Sequence, residues 1–532
     1  MKQVSLFRKL TATLLSCTLC CTGMTIPEFS ADGTEVLPTR FDWREEAPEI
    51  LTPVKMQYGD TCWAYSFVAC LESNLIKKGM ADSSLDLSET HLIWFCSGEP
   101  APTDPDDPCC GSLFPYGVKA YTKVPGMGGY EPPLACLAGW QGVVHESDAP
   151  PHRDEQPLDE SLRYQSIAHL QTADYFDQTD PQEIKTQLME KGPLRWGYYH
   201  SFNNPLSKQG GYFFPDFTME ELKEGKYTGG WHAVVLVGWD DNYAKENFTN
   251  EALGDGAWIF RNSWGDYTNS DGGYFYLSYY EPSISSELIS HYDFEPVTNY
   301  GAVHHYNSSQ VRFLTPSDGI GYVTANVFTA EKDEKIAAVG IFTNEPETEY
   351  EISVYQLESG FADPENGTLA VQLRGTEKRK GFHTHKLPQS LAVKAGQQYS
   401  VVLKTPCGAS MFLDSCSNRE KTSFYKIYRE GEEQLYRDWT DCYAVGTGDI
   451  CIHVYTEYEG ETEDCIYGDV NRDGRVNAID LSLLKQVLLG SERTDMTGKR
   501  LTGTKTRRSM QRTRTGFLHF CCKKKCNERW AL

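Results

Sequence analysis

Residues 57–67 read QYGDTCWAYSF, and the fold turns on how this stretch is understood. A turn-forming Gly-Asp-Thr delivers Cys62 into the first turn of a helix whose apolar residues Phe67, Leu71 and Leu75 recur at four-residue spacing. Thr61 suits the N-cap, and Gly79 after Lys77 and Lys78 suits the C-terminal end. In that position a thiol meets free backbone N–H groups and the positive end of the helix dipole, which favour its thiolate. A lone cysteine at a helix start is nevertheless more often a core thiol than a nucleophile. The rest of the chain has to decide.

On either side the order of elements is informative. Residues 37–53 (LPTRFDWREEAPEILTP) lead into the cysteine helix, a second helix is expected over 87–94, and a Pro/Asp-rich loop fills 97–111. Residues 181–191 read as a helix stopped by Gly192-Pro193. The period then changes. Residues 233–237 are a continuous apolar run, and 258–260 and 274–277 read as further strands set off by Asn-Ser-Trp-Gly and Asp-Gly-Gly turns. Helices first and strands later predict an α+β domain.

A thiolate nucleophile needs a proton acceptor, and the acceptor needs a third group to hold its ring. Among thirteen histidines, His232 opens the apolar strand GGWHAVVLVGWDD, where a rigid neighbour fixes it. Thirty residues on, Asn262 lies in WIFRNSWGDYTNSDGGYFYLSY, just before Trp264, whose indole can shield a His–Asn hydrogen bond from water. Taken singly, His232 reads as a satisfied strand-end histidine and Asn262 as a turn residue.

Together, CWAYS, WHAVVLVGW and NSWG with GGYFYLSY, in that order, resemble the papain-like cysteine peptidases. FDWRE, LSETHLIWFC and the Gly111 region extend the likeness across residues 37–280. The resemblance implies a two-subdomain fold, with a helical left part and a β-barrel-like right part, within a peptidase domain over 37–291. It also implies roles: Cys62 as nucleophile, His232 as base and Asn262 as the residue orienting it, with Trp264 packed over the pair. Trp63, Gly111, Ser112 and Trp231 would line the substrate cleft. The Cys62 N–H and an upstream glutamine would form the oxyanion hole. The family places that glutamine six residues before the cysteine, where this chain has Met56, so Gln57, at five, takes the expectation. Insertions at 97–110 and 202–227 account for the 170-residue Cys-to-His separation. The resemblance further implies that Cys96 pairs with Cys136.

Beyond the peptidase, residues 292–458 hold short β-rich runs separated by turns, the pattern of an all-β sandwich. ANVFTAEKDEKIAAVGIFT, GFHTHKLPQSLAVKAGQQYSVVLK and CIHVYTEY resemble a bacterial lectin-like domain. That name implies glycans as partners; the residues themselves, without a defined cluster of aromatics and carboxylates, equally suit a domain that buttresses the peptidase or walls its cleft. A Glu-rich linker spans 459–465.

Asp469, Asn471, Asp473, Arg475 and Asp480 then fall at positions 1, 3, 5, 7 and 12 of a calcium loop, with Gly474 at the tight turn and Arg475 offering its carbonyl. Residues 466–498 resemble half of a dockerin, whose partner is a cohesin domain on a cellulosome scaffold. From Lys499 onward eleven Lys and Arg face one acidic residue, Glu528, so the tail carries +10 and the preceding 498 residues −34. This basic tail, 499–532, is expected to be disordered or the product of a shifted reading frame.

Composition sets the outer bounds. A chain of 532 residues predicts about two to four domains. Its net charge of −24 argues against nucleic acid. Residues 1–24, with Lys2, Arg8 and Lys9 before a short apolar run, read as a secretory signal, and no later segment is apolar for long enough to span a bilayer. Ten cysteines other than Cys62 lie between the signal and the tail, which fits disulfides in an oxidising compartment. The expectation is a secreted, extracellular or cell-surface bacterial cysteine endopeptidase, needing no cofactor for catalysis and carried on a scaffold by its dockerin. The alternative is a catalytically inactive adhesin or binding module built on a peptidase fold.

Overall fold

The structure is a computed structural model that describes residues 28–29, 35–57, 59–96, 128–129, 132–151, 158–176, 179–265, 271–286, 289–307, 311–414, 417–429, 431 and 438–458. The signal segment, Gly111, Ser112, the 459–465 linker, the calcium loop and the basic tail lie outside the described residues.

The helix expected from the 57–67 stretch runs Cys62–Lys77 and is buried from Trp63 through Ile76. Its apolar face, with Phe67, Leu71 and Leu75, is sealed in the main core. Thr61 occupies the N-cap position without a side-chain capping bond; its carbonyl instead accepts from the N–H groups of Ala64 and Tyr65. Burying the polar stripe of this helix requires partners. Glu72 finds them in the Leu87 N–H, the Thr52 hydroxyl and Lys55, and Ser66 accepts from Arg195. Helix Glu89–Cys96 packs beside it, and Pro132–Ala138 packs on Glu89–Cys96. Cys96 and Cys136 stand there as buried free thiols, and the Cys136 thiol donates to the Phe95 carbonyl at 3.8 Å.

Among the described residues the largest sheet has twelve strands and does not stop at the end of the peptidase region. In its middle, Gly229–Asp240 lies between Leu194–Ser201 and Ala257–Arg261, and Tyr274–Ser278 follows beyond. Arg40–Asp42 also pairs with the far end of Gly229–Asp240, and that approach is the reason for Gly238, where a Cβ would come within 2.3 Å of the Phe41 carbonyl oxygen. In the other direction the order is Ile289–Pro296, Ala168–Phe176, then Lys380–Val393 and Glu334–Thr343 of the β-rich region.

The junction pairs Lys380 with Tyr175, Gly381 with Asp174, Phe382 with Ala173 and His383 with Thr172. Gly381 has φ +143°, and a Cβ there would sit 1.7 Å from the Ala173 carbonyl oxygen, so only glycine lets the two strands close. His383 bonds Asp174 at 3.1 Å, Arg379 pairs with Glu183, and Phe342, Phe382 and Tyr455 enter the same apolar core as Ala173 and Phe176. A separate six-stranded sheet, from Gly367–Glu377 to Thr440–Asp441, closes the sandwich. The β-rich region thus extends the peptidase sheet.

A common core predicts common unfolding. Phe382 is fully buried at the junction. Phe382→Ala should therefore destabilise the chain by about 3–5 kcal/mol and move a single urea transition followed by tryptophan fluorescence. Two transitions, only one of them shifted, would show that the halves unfold separately.

Candidate active site

Three segments converge at the head of the cysteine helix. The first is the helix start itself. Cys62 is largely enclosed, and its sulfur takes a hydrogen bond from the backbone N–H of Ala233, next to His232. Burial pushes the thiol pKa up, while the Ala233 N–H, the Arg195 charge and the Trp63 N–H pull it down.

The second segment is the start of Gly229–Asp240. His232 is 5% exposed, and its Nε2 lies 2.8 Å from Asn262 Oδ1. The Ser263 N–H donates to the same Oδ1 at 2.8 Å, which settles the amide orientation: the atom facing His232 is the oxygen. Nε2 must then carry the proton, and Nδ1 is left as the basic nitrogen. Burial drives the His232 pKa down to about 3, with the Asn262 bond opposing and the His200 charge assisting.

The third segment follows Ala257–Arg261. Trp264 stacks on His232, with ring centroids 4.4 Å apart and planes 18° apart, and so screens the His232–Asn262 bond. Gln57 is tied to this segment. Its N–H donates to the Ser263 carbonyl at 2.7 Å, its Oε1 accepts from the Ser263 hydroxyl at 2.5 Å, and its Nε2 donates one proton to the Gly59 carbonyl at 2.8 Å. Met56 bridges to Trp264 on the adjacent register and is half exposed.

The structure thus brings Cys62, His232, Asn262, Gln57 and Trp264 together. Trp63 is buried in the helix, and Trp231 is 39% exposed, with its ring edge toward Tyr199 and Phe217. Part of the 202–227 segment lies beside it: Phe214, Phe217 and Tyr227 pack on one another, and Phe217 and Tyr227 also pack on Tyr199. Gly111, Ser112 and the five calcium-loop residues, Asp469, Asn471, Asp473, Arg475 and Asp480, fall outside the described residues.

Sequence reasoning missed His200 and Tyr198. Both lie on Leu194–Ser201, which is buried along almost its whole length and so lacks the alternation that marks a strand with one wet face. The remaining signal was only the helix stop at Gly192-Pro193 ahead of an aromatic-rich run. Among the described residues no cluster of His, Cys, Asp and Glu is arranged to hold a metal ion, and no helix is long and apolar enough to cross a membrane.

Comparison with known proteins identifies the domains. Residues 37–290 match the family model of the papain family cysteine proteases, 314–456 that of the lectin like domain and 467–502 that of the dockerin type I domain. Procathepsin L of Felis catus is 27% identical over 251 residues, 46% of this chain and 62% of that protein. Peptidase 1 of Dermatophagoides farinae is 25% identical over 284 residues, 50% of this chain and 74% of that protein. The chain therefore spans less than two thirds of the cat protein's length. Among solved structures, the cysteine protease and lectin-like domains of Cwp84, a surface layer associated protein of Clostridium difficile, superpose with a TM-score of 0.61 at 19% identity, covering 81% of this chain and 90% of that one. This chain accordingly carries a papain-family cysteine protease domain, a lectin-like β domain joined to it, and a dockerin type I module.

The buried ring of His232 gives stability a pH dependence of definite sign. The ordinary imidazole value is near 6.5 and the folded one about 3, so between them the unfolded chain binds more protons. The contribution is complete above pH 6.5 and is lost as pH falls toward 3. The urea midpoint should fall from pH 7 to about 4.5, and His232→Gln should fall less; equal losses in both proteins would show that the ring is not held neutral.

Proposed function

We propose that the chain is a secreted cysteine endopeptidase that hydrolyses peptide bonds of proteins through Cys62, His232 and Asn262, and that its dockerin carries it on a cohesin-bearing scaffold outside the cell. One observation supports the chemistry above all: the Asn262 amide, fixed by Ser263, leaves His232 with a proton on Nε2 and a lone pair on Nδ1.

In the first step the Cys62 proton passes to Nδ1 and the sulfur adds to the peptide carbonyl carbon. Burial opposes charge on either group alone, whereas the thiolate–imidazolium pair formed by this transfer is neutral overall. The Cys62 N–H, at the helix start, and the remaining Gln57 N–H are the donors for the developing oxyanion. Collapse of the adduct breaks the C–N bond, and Nδ1–H returns its proton to the leaving amine. Water, deprotonated by the same nitrogen, then cleaves the thioester and restores the thiol. Asn262 and Trp264 hold the ring in plane and exclude water from its far edge. Trp63, Trp231, Gly111 and Ser112 are the proposed walls of the substrate cleft.

Calcium belongs to the dockerin. Asp469, Asn471 and Asp473 would supply side-chain oxygens, Arg475 a carbonyl and Asp480 the closing carboxylate, an all-oxygen set suited to a hard cation. Bound calcium would order the loop for cohesin recognition and takes no part in hydrolysis. Glycans remain a ligand class to test on the lectin-like domain.

An epoxide-type thiol-peptidase inhibitor should label the purified chain, and Cys62→Ala should abolish both labelling and casein cleavage; without Cys62-dependent labelling or cleavage the chain is a binding module on a peptidase fold. Gln57→Ala should lower kcat by about 100-fold, and an unchanged value would remove Gln57 from the oxyanion hole. Capture by a cohesin domain should be lost when calcium is chelated and weakened by Asp469→Ala; capture that survives chelation would separate scaffold binding from this loop.

A further inference from the structure

A second imidazole stands beside the proposed catalytic one and has no part in the steps above. Tyr198 lies opposite His232 in the sheet register, and His200 lies two residues further along the same strand face, opposite Gly230. The His200 ring meets the Trp264 indole edge-on at 4.9 Å, stacks on Tyr212 at 5.3 Å and lies 6.4 Å from His232. Phe202, 73% exposed, is its outer neighbour at 6.2 Å.

The proton on His200 can be placed. Its Nδ1 is 3.0 Å from the hydroxyl of Tyr198, a fully buried residue. If Nδ1 were the donor, the Tyr198 O–H would be left buried with no acceptor among the described residues. The hydroxyl therefore donates to Nδ1, and Nε2 carries the ring proton. That Nε2–H has no partner among the described residues, and His200 is only partly buried.

Position assigns the side of the cleft. With His232 returning its proton to the leaving nitrogen, as proposed above, the substrate residue following the scissile bond would lie over His232 and Trp264, whose indole adjoins His200. The titratable groups packed around His200 are Tyr198 on its own strand, Tyr212 and His232, with Cys62 and Glu281 behind them. None is a counter-ion to it; burial alone acts on the ring and lowers its pKa to about 4. The site is thus an unpartnered donor that lacks only an anion, and a substrate is what can supply one.

We propose, building on the peptidase reading, that His200 is a specificity-determining residue that hydrogen-bonds a carboxylate immediately beyond the scissile bond. That carboxylate belongs either to an Asp or Glu side chain or to the free α-carboxylate of a chain end. The ring stays neutral while Nδ1 accepts from the Tyr198 hydroxyl, so the bond is that of an imidazole N–H to a carboxylate, and the preference holds wherever that carboxylate is ionised.

The test uses the full chain and three fluorogenic peptides: one with Glu directly after the scissile bond, one with Gln there, both continued and amidated, and one ending at that residue with a free carboxylate. The ratio of kcat/KM for Glu over Gln should be about 10 across roughly pH 5.5 to 7, with the difference residing in KM. His200→Ala should bring the ratio to about 1, and His200→Gln, which keeps an N–H donor, should keep part of it. A preference confined to the third peptide assigns the carboxylate to a chain end. Cys62-dependent cleavage with no preference for any carboxylate, or a preference unchanged in His200→Ala, overturns the assignment alone. Absence of Cys62-dependent cleavage of all three peptides overturns the peptidase reading and this one with it.

Discussion

The backbone pairing of residues 55–57 with residues 263–265 is the constraint on which the site depends. The Gln57 N–H donates to Ser263 and the Gly265 N–H to Lys55, so the segment entering the cysteine helix runs antiparallel to the one that carries Asn262 and Trp264. Four residues of chain then separate Gln57 from Cys62. The pairing is anchored from behind by Lys55, which reaches Glu72 on the cysteine helix, Glu89 on the next helix and the Asp86 carboxylate. Such a buried ion cluster contributes little net stability, because desolvation opposes it, but it penalises any rearrangement that would leave one charge unpaired. Its physical effect is to hold the thiol in position against a sheet whose histidine lies 170 residues away in sequence.

The chemistry of this site was legible because each of its groups carries its reason with it. A cysteine after a Gly-Asp-Thr turn, a histidine opening an apolar run and an Asn-Ser-Trp-Gly turn are each ordinary, and their order makes them specific. The bonding of Gln57 was not legible: whether a glutamine one position from its expected place meets Ser263 or faces the substrate depends on the path of a turn, not on residue type. His200 was hidden for another reason. Strand Leu194–Ser201 is buried on both faces, and without alternation nothing in the sequence marks which of its residues shares a face with His232.

The same limit applied to the architecture. The β-rich runs were readable as strands: 323–328, 337–343, 351–356, 368–373 and 398–403 all fall inside observed ones, while 450–455 is broken at 451–452 between Asp449–Ile450 and His453–Thr456. Their division between two sheets, and the passage of one sheet into the peptidase, could not be read. Lys380–Val393 and Ala168–Phe176 are more than 200 residues apart, and their pairing is decided by side chains that look unremarkable in sequence: a glycine that permits close approach, a phenylalanine that fills a shared core and a histidine that meets Asp174.

Sheet continuity has a consequence for the site. From the junction, Ala168–Phe176 is followed by Ile289–Pro296, then by the strand bearing His200, then by the strand bearing His232. Without the β-rich region, Ala168–Phe176 would present an open edge of unpaired backbone groups, a liability that proteins otherwise cover or blunt. The lectin-like domain covers that edge, and through a close-packed sheet and a common core it fixes the orientation of its own surface relative to the cleft. A ligand held on that surface would therefore meet the cleft at a set angle and distance, a geometry that a flexibly tethered binding module cannot supply.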